Sequence, residues 1–464
     1  MKRILSGIAA LLICVSAAVL SGCAAEVGEV QTITCLAEPE TTFSEATLPV
    51  ETSEEVSESV SDTTYEDTEI TAPMTTVLTE STTQSISETA EVKSEYEVGE
   101  VSKAFEYALL KEVVSENKNA VISPLSVKIA LNMAALGAES DTEMEMLEIL
   151  GYGSAEEMAE ESGRLAAELD RDDGSLTLSN SVWTDSDFQD IGNDYKNGLD
   201  EIFSAEFFSE DLSDEKIVND LNGWINKNTN GLIPQMINGP FEESTVMLLV
   251  NAIYFNNQWV REFDSYGGRR TFYGVNGESE FEPMYLEGHD ISYGENDIFR
   301  SVSLAYKDGS RMNVYLPSGY AENVLGIVER LSPEELAEAM DMSYTDSYVS
   351  VEMPKFECKY SESMTDTLKR LGISAAFDPE KADFGGMLSD NSEEQLYISD
   401  VIHAAKIKCH EKGTEAAAAT IVTADAGAVM PMETPIYFTA DRPFIYEIVS
   451  PSGDVLFMGF ISGF

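Results

Sequence analysis

His289, His403 and His410 are the only imidazoles in the 464 residues, and none stands among partners that would make a catalytic set. The chain has no Gly-x-Ser-x-Gly elbow and no phosphate-binding glycine loop. His403 lies in a strand pattern, Val401-Ile-His-Ala404, where a histidine is more often a satisfied core residue than a base. No Cys/His spacing suits a metal, and no cofactor is expected. What remains is mechanical: the segment Glu411-Lys-Gly-Thr-Glu-Ala-Ala-Ala-Ala-Thr420. Its four alanines suit a helix. Gly413 before them, and Thr420, Ile421, Val422 and Thr423 after them, suit a strand. Side chains of a strand point alternately to opposite faces. The even positions Thr414, Ala416, Ala418, Thr420, Val422, Ala424, Ala426 and Ala428 are all small or apolar. The odd positions include Glu415, Thr423 and Asp425. A strand starting at Gly413 can therefore bury one face and show its acids to water. Its small side chains suit a strand that arrives late, between two already packed. An alanine-rich surface linker is the alternative.

Five further motifs occur at intervals in the chain. They are Asn119-Ala-Val-Ile-Ser-Pro-Leu-Ser126, then Ala130 through Leu136 to Gly137 and Ala138 with Asp141 and Thr142, then Leu248-Leu-Val-Asn-Ala-Ile-Tyr-Phe255 with Trp259. Met353-Pro-Lys-Phe356 and Phe438-Thr-Ala-Asp-Arg-Pro-Phe-Ile-Tyr-Glu-Ile448 follow. With the hinge, and in this order, they make the chain from about residue 100 to its end resemble the serpin family, inhibitory type. The resemblance implies an α+β serpin fold. It has a large central, mostly antiparallel sheet A, two further sheets, eight or nine helices and an exposed reactive-centre loop, here about residues 411–435.

It also implies a function: suicide-substrate inhibition of a serine protease. The protease attacks a bait bond and forms its acyl-enzyme. The freed hinge enters the central sheet as a new strand and drags the protease with it before deacylation. About a dozen ladder bonds, at ~0.5–1.5 kcal/mol each, plus buried side chains give a drive on the order of 10 kcal/mol. The starting fold is then metastable and held kinetically. The hinge residues are Glu411, Gly413, Thr414, Glu415, Ala416, Ala417, Ala418, Ala419 and Thr420. A buried polar cluster of Ser123, Ser126, Asn251 and His403 would govern how the central strands part; such a network must be fully hydrogen-bonded to be tolerated. Trp259 would sit at the top of the opening, and Lys355 would pair there with Glu411. Family spacing counted forward from Glu411 places the bait residue at Gly427, and counted back from Pro443 places it at Met432. Ala428 and Val429 lie between, while Pro431 disfavours cleavage after Met430. No Arg or Lys lies in this window, so elastase-like or subtilisin-like targets are expected rather than trypsin-like ones. A non-inhibitory serpin acting as a cell-surface binding protein is the alternative. A surface-anchored adhesin is a further one.

The acidic balance, 84 acids against 28 bases for a net charge of −56, argues against nucleic acid as a partner. Residues 1–22 read as a lipoprotein signal peptide: a basic Met1-Lys-Arg3, an apolar run, then Leu20-Ser-Gly-Cys23. Cys23 would carry the lipid and anchor the protein to a bacterial membrane without spanning it. Residues 23–97 are rich in Thr, Ser and Glu, with Lys93 the only base, and read as a disordered, self-repelling tether. Residues 98–464 form one domain, expected to be monomeric and extracytoplasmic. Cys358 and Cys409 are expected as buried free thiols.

Elements must position the hinge. Helical spacing runs over Val101–Val114, Ser126–Leu136 closed by Gly137, Asp141–Leu150, Ile217–Asn228 and from Ser332-Pro-Glu-Glu335 onward. Strands are expected at Leu176–Trp183, Met247–Phe255, Arg311–Leu316, Tyr348–Phe356 and Asp400–Lys408, with a hairpin of Phe444–Val449 and Val455–Phe460. Helices come first and strands later, an α+β order.

Overall fold

The computed structural model describes residues 103–414 and 434–464, apart from 115–117, 170–174, 189, 266, 320–327, 329–331, 341–346, 390–391 and 393. All of these belong to the second of two units, Val92–Phe464. The leader, Cys23, the tether, the hinge residues Glu415, Ala416, Ala417, Ala418, Ala419 and Thr420, and the bait candidates Gly427, Ala428, Val429 and Met432 lie outside the described residues.

The first half is mainly helical. It runs α1 (Lys103–Val113), β1 (Ala120–Ile122), α2 (Pro124–Ala135), α3 (Ser140–Leu150), α4 (Ala155–Leu169), β2 (Leu176–Asp185), α5 (Asn193–Phe203), β3 (Glu206–Glu210) and α6 (Lys216–Asn228). Strands then dominate: β4 (Met247–Phe255), β5 (Asn257–Gln258), β6 (Arg270–Gly274), β7 (Gly277–Phe281), β8 (Pro283–Gly288), β9 (Ser292–Glu295), β10 (Phe299–Ala305) and β11 (Arg311–Pro317). After α7 (Pro333–Ala339) come β12 (Val349–Pro354), β13 (Phe356–Ser363) and α8 (Thr365–Leu371). The chain ends with β14 (Asp400–His410), β15 (Gly413–Thr414), β16 (Ile436–Thr439), β17 (Phe444–Val449) and β18 (Val455–Ile461).

The described residues form three sheets, beside a β6–β7 hairpin. The largest has seven strands in the order β3-β2-β4-β14-β15-β5, with β13 on the outer side of β14. The second has six, β1-β18-β17-β11-β10-β9, and the third has three, β16-β12-β8. Most pairs are antiparallel, but β4 and β14 run parallel at the centre of the large sheet. Every residue of β4 is buried, which explains a run that is apolar except at Asn251. Leu249, Ile253 and Phe255 face the main core, while Leu248, Val250 and Ala252 face a second cluster with Leu221, Trp224 and Ile225 of α6.

Local chemistry sets the boundaries. Ser123 caps α2, its hydroxyl accepting from Ser126 N at 3.2 Å, and Pro124 fills the first turn. The helix therefore starts two residues before the apolar spacing does. Gly137 does not end α2 through a left-handed conformation, since its φ is not positive. A Cβ there would run into the Met387 side chain, so close packing requires the glycine. The stretch Tyr348–Phe356 is not one strand. β12 ends at Pro354 and β13 begins at Phe356, and the chain passes at Lys355 from the three-stranded sheet to the seven-stranded one. Apolar alternation fixes which face is buried but not which neighbour a strand pairs with.

Candidate functional site

The seam between β4 and β14 divides into two levels. At the lower level the strands pair directly, from Asp400 opposite Leu248 to Ala404 opposite Ala252. Above Ala404 this pairing ends, and two residues of the hinge are already seated between the strands. Gly413 and Thr414 pair with His410 and Cys409 on one side and with Gln258 and Asn257 on the other. Gly413 has φ +152°, and a Cβ on it would collide with the Asn257 carbonyl oxygen, so only glycine fits against β5.

Thr414 is completely buried, and its hydroxyl bonds the Tyr306 hydroxyl at 2.6 Å. Burial pushes the Tyr306 phenol well above its ordinary range, so it stays protonated. The Tyr306 ring stacks on Trp259, with centroids 4.1 Å apart. Trp259 in turn donates its indole N–H to His410 O at 2.9 Å and its backbone N–H to Lys412 O at 3.0 Å. Phe263 N donates to Glu411 O at 2.8 Å. The turn that opens the hinge is thus held by three hydrogen bonds from the segment Trp259–Phe263.

Lys355 lies beside it, 3.2 Å from Glu411 and 2.7 Å from Glu282. Its bond to Glu282, more than that to Glu411, raises the Lys355 pKa despite partial burial. Burial pushes the Glu411 carboxyl up, but a backbone hydrogen bond and Lys355 outweigh it and hold the group below its ordinary value.

At the lower level His403 and Asn251 are register partners on β14 and β4, and Asn180 on β2 is the partner of Asn251. All three are buried. His403 Nε2 accepts from Ser123 N at 3.1 Å, so the neutral ring carries its proton on Nδ1. Burial drives the His403 pKa down to about 3, which keeps the ring neutral. Asn251 donates its amide to Asn180 Oδ1, and Asn180 donates to Phe203 O at 3.3 Å. Contrary to expectation, the cluster is not fully bonded within the protein. Among the described residues, Ser126 Oγ, Asn251 Oδ1 and His403 Nδ1 have no hydrogen-bond partner. The strands hold His403 opposite Asn251, and the cluster keeps spare hydrogen-bonding capacity.

Thus Ser123, Ser126, Asn251 and His403 converge at the lower level, and Trp259, Lys355, Glu411, Gly413 and Thr414 at the upper. Sequence reasoning missed Asn180 and Tyr306. Asn180 interrupts an otherwise strand-like run, which is a signal; Tyr306 directly follows β10 and gives none. Cys358 and Cys409 are free and buried; burial pushes the Cys358 thiol up to about 12 and Cys409 further.

A family model described as serpin (serine protease inhibitor) matches residues 100–463. A serpin-like protein of Methanosarcina acetivorans is 30% identical over 380 residues, covering 79% of this chain and 86% of that protein. The leukocyte elastase inhibitor of Equus caballus is 30% identical over 355 residues, covering 74% of this chain and 92% of its own. Among solved structures, the native state of tengpin, a thermophilic serpin, superposes with a TM-score of 0.70 at 27% identity, covering 79% of this chain and 94% of that one.

Proposed function

The chain belongs to the serpin family, and from that premise we propose that it is a suicide-substrate inhibitor of elastase-like or subtilisin-like serine proteases. One observation carries the reading: the seated hinge and the closed seam share one register. Continue the pairing of Thr414 with Cys409 and Asn257 down both strands. Ala416 then falls between Ile407 and Phe255, Ala418 between Ala405 and Ile253, and Thr420 between His403 and Asn251. His403 and Asn251 are already partners across the seam. Insertion therefore needs no strand to slip; β4 and β14 need only separate by about one further strand spacing, ~4.8 Å.

The side chains suit that path. The even face, from Ala416 to Val422, meets Phe255, Ile253, Leu249, Ile407, Ala405 and Val401 of the main core, and only small or uncharged residues occupy it. Glu415 falls opposite the exposed Lys408, where a charge stays in water. Thr420 would bring a hydroxyl to Asn251 Oδ1 and His403 Nδ1, which have no partner in the closed seam among the described residues. The next acid, Asp425, falls past Asp400 and Met247, where the two strands begin. The uncharged run is as long as the seam.

The bait bond lies among Gly427, Ala428, Val429 and Met432, and their lack of a basic side chain supports the target class. On this reading the protein works outside the cytoplasm as a monomer, lipid-anchored through Cys23 on a bacterial membrane and held off it by the acidic tether; the leader-like residues 1–22 and the Ser/Thr/Glu-rich stretch support it. Incubation with an elastase should give an SDS-stable complex of the two chains. Quantitative loop cleavage with no complex would sink the inhibitor reading.

A further inference from the structure

Behind the segment that holds the hinge lies a cavity of about 140 Å³. Trp259, Phe263, Leu286, Ile291 and Leu304 line it, and it opens beside Val260, which is 60% exposed. An engineered apolar cavity of about 150 Å³ takes a benzene ring, so one six-membered ring matches this space. The walls are not purely apolar. Ser303 on β10 lines the cavity and is buried. Its oxygen accepts from Arg311 Nε at 2.6 Å, and among the described residues its own proton has no acceptor. Arg311 also donates to Ser292 Oγ at 3.3 Å and pairs with no carboxylate among the described residues, in a chain with 84 acids. Burial holds this guanidinium below its ordinary range. At the rim, Asp290 is neutralised by Arg261 at 2.8 Å, which also donates to Glu287 O at 2.5 Å. The cavity thus presents an apolar slot, a hydroxyl proton seeking an acceptor and an uncompensated cation behind it.

We propose that this cavity is a binding site for a small aromatic carboxylate. The ring lies against Trp259 and Phe263, and the carboxylate accepts from the Ser303 hydroxyl with Arg311 behind it. Because Trp259 and Phe263 also hold His410, Glu411 and Lys412, a bound ring stiffens the latch of the hinge. That consequence for inhibition rests on the function proposed above, whereas binding itself does not.

Calorimetric titration of the full chain, with no protease present, separates the two. Benzoate should bind saturably, and benzyl alcohol, which keeps the ring and lacks the charge, at least about tenfold more weakly. Ser303→Ala should weaken benzoate about tenfold, on the scale of one hydrogen bond to a charged group. Val260→Trp, a change at an exposed position, should close the mouth and abolish binding. Saturating benzoate should also slow incorporation of a synthetic peptide copying residues 414–424 by at least about threefold. No benzoate binding, equal binding of benzyl alcohol, or affinity unchanged in both variants would overturn the site, and an unchanged incorporation rate would overturn its link to the hinge.

Discussion

The upper and lower levels of the same seam are held shut in opposite ways. At the top, the gap between β14 and β5 is filled by two hinge residues, Gly413 and Thr414. Thr414 sits in a buried pocket built from Tyr306 and Trp259, which under the proposed function is the starting state of insertion. At the bottom no hinge residue has arrived, and β4 and β14 close on each other through five residue pairs. Apolar side chains under α6 cover one face there, and a polar cluster with spare hydrogen-bonding capacity lies at the other. Under the proposed function, initiation is a matter of shape and burial at Thr414, and completion a matter of opening a parallel pair and rebonding His403 and Asn251.

The sharpest way to break this contrast is at the top. Thr414→Arg places a guanidinium where the native side chain is completely buried. An unpaired buried charge costs several kcal/mol, so the hinge leaves the sheet and insertion fails. The expected result is complete loss of SDS-stable complex with full cleavage of the loop; wild-type complex formation in this variant would show that seating of Thr414 is irrelevant.

At the bottom the lever is pH. His403 titrates near its ordinary value of 6.5 in the unfolded chain and at about 3 in the fold. Between these values the unfolded state binds the extra proton. Stability from this group is therefore full above about pH 6.5 and falls as the pH drops toward 3. His403→Gln removes that dependence. Between pH 6 and 4, urea unfolding of the wild type should fall more steeply than that of the variant, by up to about 1.4 kcal/mol per pH unit. Parallel slopes would place the His403 ring in contact with water. The smallest effect is expected at the surface of the top level. Lys355→Ala breaks two ion pairs at a partly exposed site and should cost at most about 1 kcal/mol, a difference that fades with added salt.

The two levels also differed in how far their residues were legible beforehand. The hinge announces itself, because a strand that must enter a packed sheet needs small residues at every second position, and Ala416 and Ala418 supply them. Gly413 is legible for the same local reason, a backbone approach that excludes a Cβ. His403, Asn251, Ser123, Trp259 and Lys355 were reached through resemblance. No local rule links residues so far apart in the chain. Tyr306 and Asn180 stayed hidden because their roles depend on cross-strand neighbours, and pairing partners are set by tertiary packing rather than by alternation. The same cause made Tyr348–Phe356 read as one strand when Lys355 marks a change of sheet.

The central claim is that the chain stores free energy by keeping residues 415–424 out of a seam whose register already fits them. Thermal unfolding of the intact protein beside that of protein cut once in the loop tests it most directly. With ten new residues laddered between β4 and β14, the cut form should melt higher by on the order of 20 °C. Equal melting temperatures for the cut and intact forms would contradict insertion.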